Sequence, residues 1–354
     1  MRMVPVTDTS VWTGAELEAD RSWEYVLSDA HRGELDAALD VAKGEGLGIP
    51  ALTRKSFPLP SLGPVLAQVG GDLRDGRGFA LLRRFPVEDY DHDDIALMYW
   101  GLCSHIGVGV TQNGEGGFIH YVTDGALQPS QGRRGVGFPK ESKLHVDLMD
   151  IVTLLCVRQA PDDPPSRVAS STAIYNRVLA ERSEAMVRLY EGFEWGRQDE
   201  HGEGETPVSD YKVPFFSEKD GQVSCQYNRG WINNGLTYKD AKLSDSDAEL
   251  LEYIDSIADD VRFEFPFHYG DVQFCSNYTV LHGRAAHAVV PDEERKRVLM
   301  RIWLDMANFR AFSDEAIVRY GNGRHGQLGW SAEEVLEGRN HTARSRRSDG
   351  AVKL

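Results

Sequence analysis

The sequence predicts a mainly β protein with helices, an α+β chain built on an antiparallel sandwich or jelly roll. Two observations carry this. The rear two thirds hold short apolar, strand-length runs bounded by turn residues, near 151–157, 167–172, 212–234, 261–267, 271–281 and 297–304. Helical periodicity there is confined to inserts, near 173–192 and 245–259, so the strands do not alternate with helices as a parallel sheet would require.

In chain order, a helix is expected over 28–43, where Ser28 can cap and Leu35, Leu39 and Ala42 recur at helical spacing. Three prolines between Thr53 and Pro64 mark a connector, and a helix follows over 64–73. Phe79-Ala80-Leu81-Leu82 is a short apolar strand, and a further helix covers 91–105. Residues 1–106 read as an N-terminal cap. Residues 107–142 are glycine-rich and polar, which suits an active-site loop or lid, with disorder as the alternative. The expectation is one elaborated domain over 1–337 and a disordered, arginine-bearing tail over 338–354.

A formal charge of −16 over 354 residues works against nucleic acids and anionic membranes as partners and favours a small-molecule substrate. The four cysteines are scattered, with no Cys-x-x-Cys pair, and read as buried free thiols of a reducing compartment. No apolar leader or spanning run is present, so a cytoplasmic protein is expected. The sequence leaves the oligomeric state open, a homo-oligomer included.

The chemistry centres on Ser142-Lys143-Leu144-His145-Val146-Asp147. In an extended chain residues i and i+2 point the same way, so His145 and Asp147 converge. His92-Asp93-Asp94 and His201-Gly202-Glu203 repeat the spacing, but the first reads as a helix cap and the second as a solvated loop. Only His145 and Asp147 lead into an apolar strand. They are either metal ligands or a hydrogen-bonded core pair. As ligands they need a third, for which His282 in Asn277-Tyr278-Thr279-Val280-Leu281-His282-Gly283-Arg284 is the candidate; His287 is the alternative. Two histidines and a carboxylate make the facial triad of non-haem Fe(II) oxygenases, which leaves positions open for a chelating 2-oxo acid and O2. A dicarboxylate co-substrate also needs a cation. Arg297 and Arg301 share a direction in a strand starting at 297, so Arg297 is either that clamp or a surface charge.

Together, Leu144-His145-Val146-Asp147, the strand after it, Asn277-Tyr278-x-x-Leu281-His282-Gly283-Arg284 and Arg297-x-x-x-Arg301 resemble the taurine-dioxygenase-like family of Fe(II)/2-oxoglutarate-dependent oxygenases. The likeness extends over about 75–305 and includes Gln112-Asn113 and Ala169-Ser170-Ser171. It implies a double-stranded β-helix (jelly-roll) core, with His145, Asp147 and His282 as catalytic iron ligands and Arg297 on the distal carboxylate of 2-oxoglutarate. Ser166 falls where the family has a threonine on the same carboxylate. Arg301 aligns with a position that meets the anionic group of some substrates, or is structural. The implied reaction is hydroxylation of an unactivated C–H bond in a small polar molecule of specialised metabolism or catabolism, releasing succinate and CO2. The presence of Asp147 speaks against halogenation. Desaturation or ring closure, a non-redox metal sensor and a Zn-dependent hydrolase or lyase are the alternatives. Gln112, Asn113, Tyr121, Tyr227, Asn228, Arg229 and Trp231 lie in loop-like segments and are the candidate substrate contacts.

Overall fold

The computed structural model describes residues 1–123, 140–312 and 326–341. Its front third comprises α1 (Gly14–Ala19), β1 (Glu24–Val26), α2 (Asp29–Gly44), α3 (Leu62–Asp75), β2 (Phe79–Arg83) and α4 (His92–Cys103). The Ser28 hydroxyl accepts the His31 amide to start α2, and Leu35, Ala38, Leu39 and Ala42 form its buried face. The Asp91 carboxylate accepts the Asp94 amide, so His92-Asp93-Asp94 is the opening turn of α4. Phe79 to Leu82 are all buried, and a strand apolar on both faces must lie inside a sheet, so β2 joins the central one.

The rest of the chain forms β3 (Val108–Val110), β4 (His120–Val122), β5 (Ser142–His145), β6 (Ile151–Arg158), β7 (Ser166–Ser170), α5 (Ser171–Glu181), α6 (Ala185–Glu191), β8 (Phe216–Lys219), β9 (Gln222–Cys225), α7 (Arg229–Tyr238), α8 (Asp245–Val261), β10 (Phe263–Phe265), β11 (Val272–Ser276), β12 (Val280–Arg284), β13 (Val298–Asp305) and α9 (Ala332–Leu336). One sheet runs β1-β2-β11-β6-β13-β3, with β4 also on β13; a second runs β10-β7-β12-β5; β8 and β9 form a hairpin. Every pairing is antiparallel except β1 with β2. From β4 to β7 successive strands change sheet each time, and from β10 to β13 they do so again. Trp23, Phe79, Phe263 and Phe265 join the sheets through one aromatic cluster, with Trp23–Phe79, Trp23–Phe263 and Phe79–Phe265 centroids 5.2, 5.3 and 5.3 Å apart.

Several elements differ from expectation. Residues 107–142 are not irregular throughout, because β3 and β4 fall within them and pair with β13; 124–139, the bulk of the expected lid, lie outside the described residues. Residues 229–234 are helical, since the Asn228 side chain caps α7 and Trp231, Ile232 and Gly235 make a buried helical face. The run over 271–281 is two strands in different sheets, divided by a turn at Asn277-Tyr278-Thr279. The long helix over 173–192 is two, α5 and α6. In the expected tail, Arg339–His341 form a single helical turn and 342–354 lie outside the described residues. All four cysteines are free and buried. Among the described residues no helix is long and apolar enough to cross a membrane.

Phe265→Ala opens a hole in the cluster between the sheets, and equilibrium unfolding in urea is expected to show a loss of about 3–5 kcal/mol.

Candidate metal centre

Strand pairing builds the centre. Residue His282 of β12 sits directly opposite His145, the last residue of β5, so both rings leave the same face of the small sheet, with centroids 4.5 Å apart. Asp147 follows just past the end of β5. Its Oδ1 lies 3.8 Å from Nε2 of His145 and its Oδ2 3.9 Å from Nε2 of His282. One ligand atom from each residue falls within 4.8 Å of the others, the only such cluster of three His, Cys, Asp or Glu side chains among the described residues.

The protonation chemistry suits a cation. His145 Nδ1 lies 2.7 Å from the Lys143 carbonyl, which fixes the proton there and turns the Nε2 lone pair inward. Burial, helped by His145, pushes the His282 imidazole down to about 3, so it is neutral and free to ligate near neutral pH. Burial alone would raise the Asp147 carboxyl, but Arg301, His282, His145 and the Trp303 indole outweigh it and hold it well below the usual carboxylate range. Arg301 Nη1 and Trp303 Nε1 both donate to Oδ2, at 3.1 and 2.8 Å. Their grip leaves Oδ1 as the oxygen presented to a metal. Two imidazoles and one singly ligating carboxylate fit a ferrous ion with open positions.

Buried amides hold the ligand loop. Asn277, from the turn between the sheets, accepts the Asp147 amide with Oδ1 at 3.0 Å and donates from Nδ2 to the Met149 carbonyl at 2.8 Å. The Val146 amide donates to the Tyr227 carbonyl at 2.8 Å, and Asn228 Nδ2 to the Val146 carbonyl at 3.2 Å. Gln112 clasps Arg301 twice, accepting from its Nε at 2.8 Å and donating to its carbonyl at 2.7 Å.

Arg297 immediately precedes β13 and is buried, with Nε donating to Gln159 Oε1 at 2.8 Å. Pairing with β6 shifts register between Val298 and Leu299, which interrupts the simple alternation expected for 297 and 301. Among the described residues no carboxylate pairs with Arg297. Burial, with Arg284 also acting on it, lowers this guanidinium to about 10, still a cation at neutral pH. Ser166 is buried and lies opposite Arg284 in the β7/β12 pair.

Other expected residues have different neighbours. Arg301 lies on Asp147. The Gln112 amide is taken up by Arg301 and by the Phe118 carbonyl, at 2.7 Å. Asn113 Oδ1 accepts the Glu115 and Gly117 amides and shapes the turn there. Tyr227 and Arg229 bond to Asp255 on α8, Trp231 packs on Trp195 with ring centroids 5.8 Å apart, and Tyr121 stacks on His92. His287 bonds through Nδ1 to the Ala288 carbonyl and is not in the cluster. Trp303, Asn277 and Gln159 acquire roles that the sequence reading did not assign. A signal existed for Trp303, two residues beyond Arg301 on the same strand face.

The family model described as taurine catabolism dioxygenase TauD, TfdA family, matches residues 45–303. The chain belongs to this family. It is an oxygenase dependent on Fe(II) and 2-oxoglutarate. FR-33289 synthase of Streptomyces rubellomurinus is 31% identical over 319 residues, which span 87% of this chain and 92% of that protein. The taurine hydroxylase-like protein SAT17 of Stachybotrys chartarum is 27% identical, over 85% of this chain and 80% of its own. Among solved structures, the non-heme iron oxygenase OrfP in complex with Fe, succinate and (3R,4R)-dihydroxy-L-Arg is similar in fold with a TM-score of 0.59, at 15% identity, covering 79% of this chain and 93% of that one. Asparagine oxygenase in complex with Fe(II), 2S,3S-3-hydroxyasparagine and succinate is likewise similar, with a TM-score of 0.59, 15% identity and coverage of 80% and 93%.

Asn277→Ala frees the loop that presents Asp147 while leaving all three ligands in place. Anaerobic titration with Fe(II) is expected to show affinity reduced about 10–100-fold.

Proposed function

We propose that this oxygenase hydroxylates an unactivated C–H bond of a small polar molecule, with His145, Asp147 and His282 holding Fe(II) and Arg297 with Ser166 receiving the distal carboxylate of 2-oxoglutarate. The observation that carries the reading is the pairing of a His145, Asp147 and His282 donor set, in which His282 is neutral and Asp147 ionised, with a buried guanidinium that has no carboxylate partner among the described residues. A buried cation without a counter-ion is costly, and a bound dicarboxylate would supply one.

When bound, the metal supplies the redox chemistry: chelation of the 2-oxo acid and activation of O2, so that decarboxylation to succinate and CO2 is coupled to C–H oxidation. The chain's own part is positional. Arg301 and Trp303 keep Oδ2 of Asp147 occupied, which would leave Oδ1 as the oxygen offered to the ion. Arg297 and Ser166 fix the far end of the keto acid, which orients its chelating end. The ligands lie between the two sheets, with His282 and Asp147 each 7% exposed, so bulk water is restricted while His145, at 24%, faces the more open side.

The strand alternation supports reading the core as a double-stranded β-helix, with β4, β13, β6 and β11 in one sheet facing β10, β7, β12 and β5 in the other. We read 1–337 as one domain, in which β1 and β2 extend the larger sheet. The substrate class draws on the relatives named above, which include a taurine hydroxylase-like protein and enzymes crystallised with hydroxylated amino acids. The charge of −16 agrees with a small-molecule partner over a nucleic acid.

Anaerobic addition of Fe(II) and 2-oxoglutarate should give a visible charge-transfer band, and O2 should then release succinate. A band-free spectrum would remove the proposal. Asp147→Ala should abolish succinate release. In Arg297→Ala, titration of that band should show 2-oxoglutarate bound about 30-fold more weakly or worse, equivalent to roughly 2 kcal/mol or more for a truncated buried ion pair.

A further inference from the structure

Away from the three ligands, the half-buried carboxylate of Asp255 on α8 gathers three side chains, one from the metal strand itself and two from the segment that opens α7. One oxygen accepts the Tyr227 hydroxyl, and the other accepts Lys143 Nζ and Arg229 Nη1, each at 3.3 Å. Two of these three residues also hold the metal strand through their backbones. The Lys143 carbonyl is the acceptor that fixes His145 Nδ1 at 2.7 Å, and the Tyr227 carbonyl accepts the Val146 amide at 2.8 Å. Asp255 thus ties the residue two before His145 to the segment bonded to the residue just after it.

The strand needs such a tie. Among the described strands β5 is the edge of its sheet, paired with β12 alone through two registered pairs separated by an irregularity. It carries His145, the most exposed of the three ligands, with 24% of its side chain accessible against 7% for each of the other two. A ligand on a short, irregular edge strand has little from its own sheet to hold its ring on the metal.

We propose that Asp255 is a positioning residue for the iron centre, acting through Lys143 and Tyr227 to fix the His145 imidazole, and that Tyr227 and Arg229 serve this clamp in place of the substrate pocket. The inference rests on the reading of the triad as the iron site. Asp255 lies outside the ligand cluster; it sets the angle and the freedom of the strand that carries His145.

The test compares Asp255→Ala and Tyr227→Phe with the wild-type full chain by anaerobic Co(II) titration and by hydrogen–deuterium exchange of the metal-free proteins. Leu39→Ala, which opens the buried face of α2 where it packs on α4 and on neither ligand strand, serves as a control that loses stability away from the centre. Asp255→Ala should bind Co(II) about tenfold more weakly or worse, Tyr227→Phe should change in the same direction by less, and amides over 143–146 should exchange faster in both. The control should keep wild-type Co(II) affinity in its folded form. Co(II) affinities for both clamp variants within about twofold of wild type would overturn the proposal. If Asp255→Ala does not fold, Tyr227→Phe decides alone, because loss of one hydroxyl leaves its ring packed on Phe215. A wild-type protein that binds Co(II) but gives no Fe(II)/2-oxoglutarate band would defeat the oxygenase reading, while the affinity comparison would still decide the role of Asp255.

Discussion

The site depends on one constraint: three candidate ligands carried by β5, the residues just after it, and β12 must meet a third strand, β13, that belongs to the opposite sheet. His145 and His282 are cross-strand partners in the small sheet, whereas the donors that orient Asp147, Arg301 and Trp303, stand on the large one. The carboxylate is therefore one point at which the two sheets are tied by polar contacts, as the Trp23/Phe79/Phe263/Phe265 cluster ties them by apolar ones. A change in sheet separation would be felt at both ties, because hydrogen-bond energy falls steeply with distance and angle and a small gap between packed rings also forfeits dispersion contact.

The turn at Asn277-Tyr278-Thr279 shows how fold and site share residues. It carries the chain from β11 in the large sheet to β12 in the small one, and its first side chain holds both ends of the ligand loop through the Asp147 amide and the Met149 carbonyl. The Tyr278 hydroxyl adds a bond to the Asp150 carboxylate, whose other oxygen accepts the Met306 amide past the end of β13. Crossing between sheets and presenting a ligand are thus performed by the same few atoms.

Much of this was legible in the sequence, for local reasons. Strand-length apolar runs and the i, i+2 spacing of His145 and Asp147 are short-range patterns, and the context around His282 separated it from His287. Arg297 was singled out as a cation, and the structure shows it buried, with no carboxylate partner among the described residues. What could not be read were partners. Gln112, Asn113, Tyr227 and Arg229 are polar residues in turn-rich segments, and sequence alone cannot say whether such a group faces a ligand or a protein atom. For Tyr227 and Arg229 the answer lies in Asp255, on a helix predicted only for its apolar face. The helix over 229–238 was hidden by its glycines at 230 and 235, which weaken a helical pattern; Gly235 is buried, and a Cβ there would meet the Gly196 amide nitrogen at 2.9 Å. The addition of β1 and β2 to the central sheet was invisible because sheet order is a long-range property.

The hold of Arg301 and Trp303 on one oxygen of Asp147 has a consequence for how this centre can diverge. The guanidinium is buried and is itself clasped by Gln112, so deleting the carboxylate alone would strand a positive charge, a change that costs about 3–5 kcal/mol in comparable buried pairs. Descendants that exchange the aspartate for a small side chain would have to alter the strand behind it in the same step or bring an anion of their own. Residues 112, 147, 301 and 303 therefore form one interdependent unit.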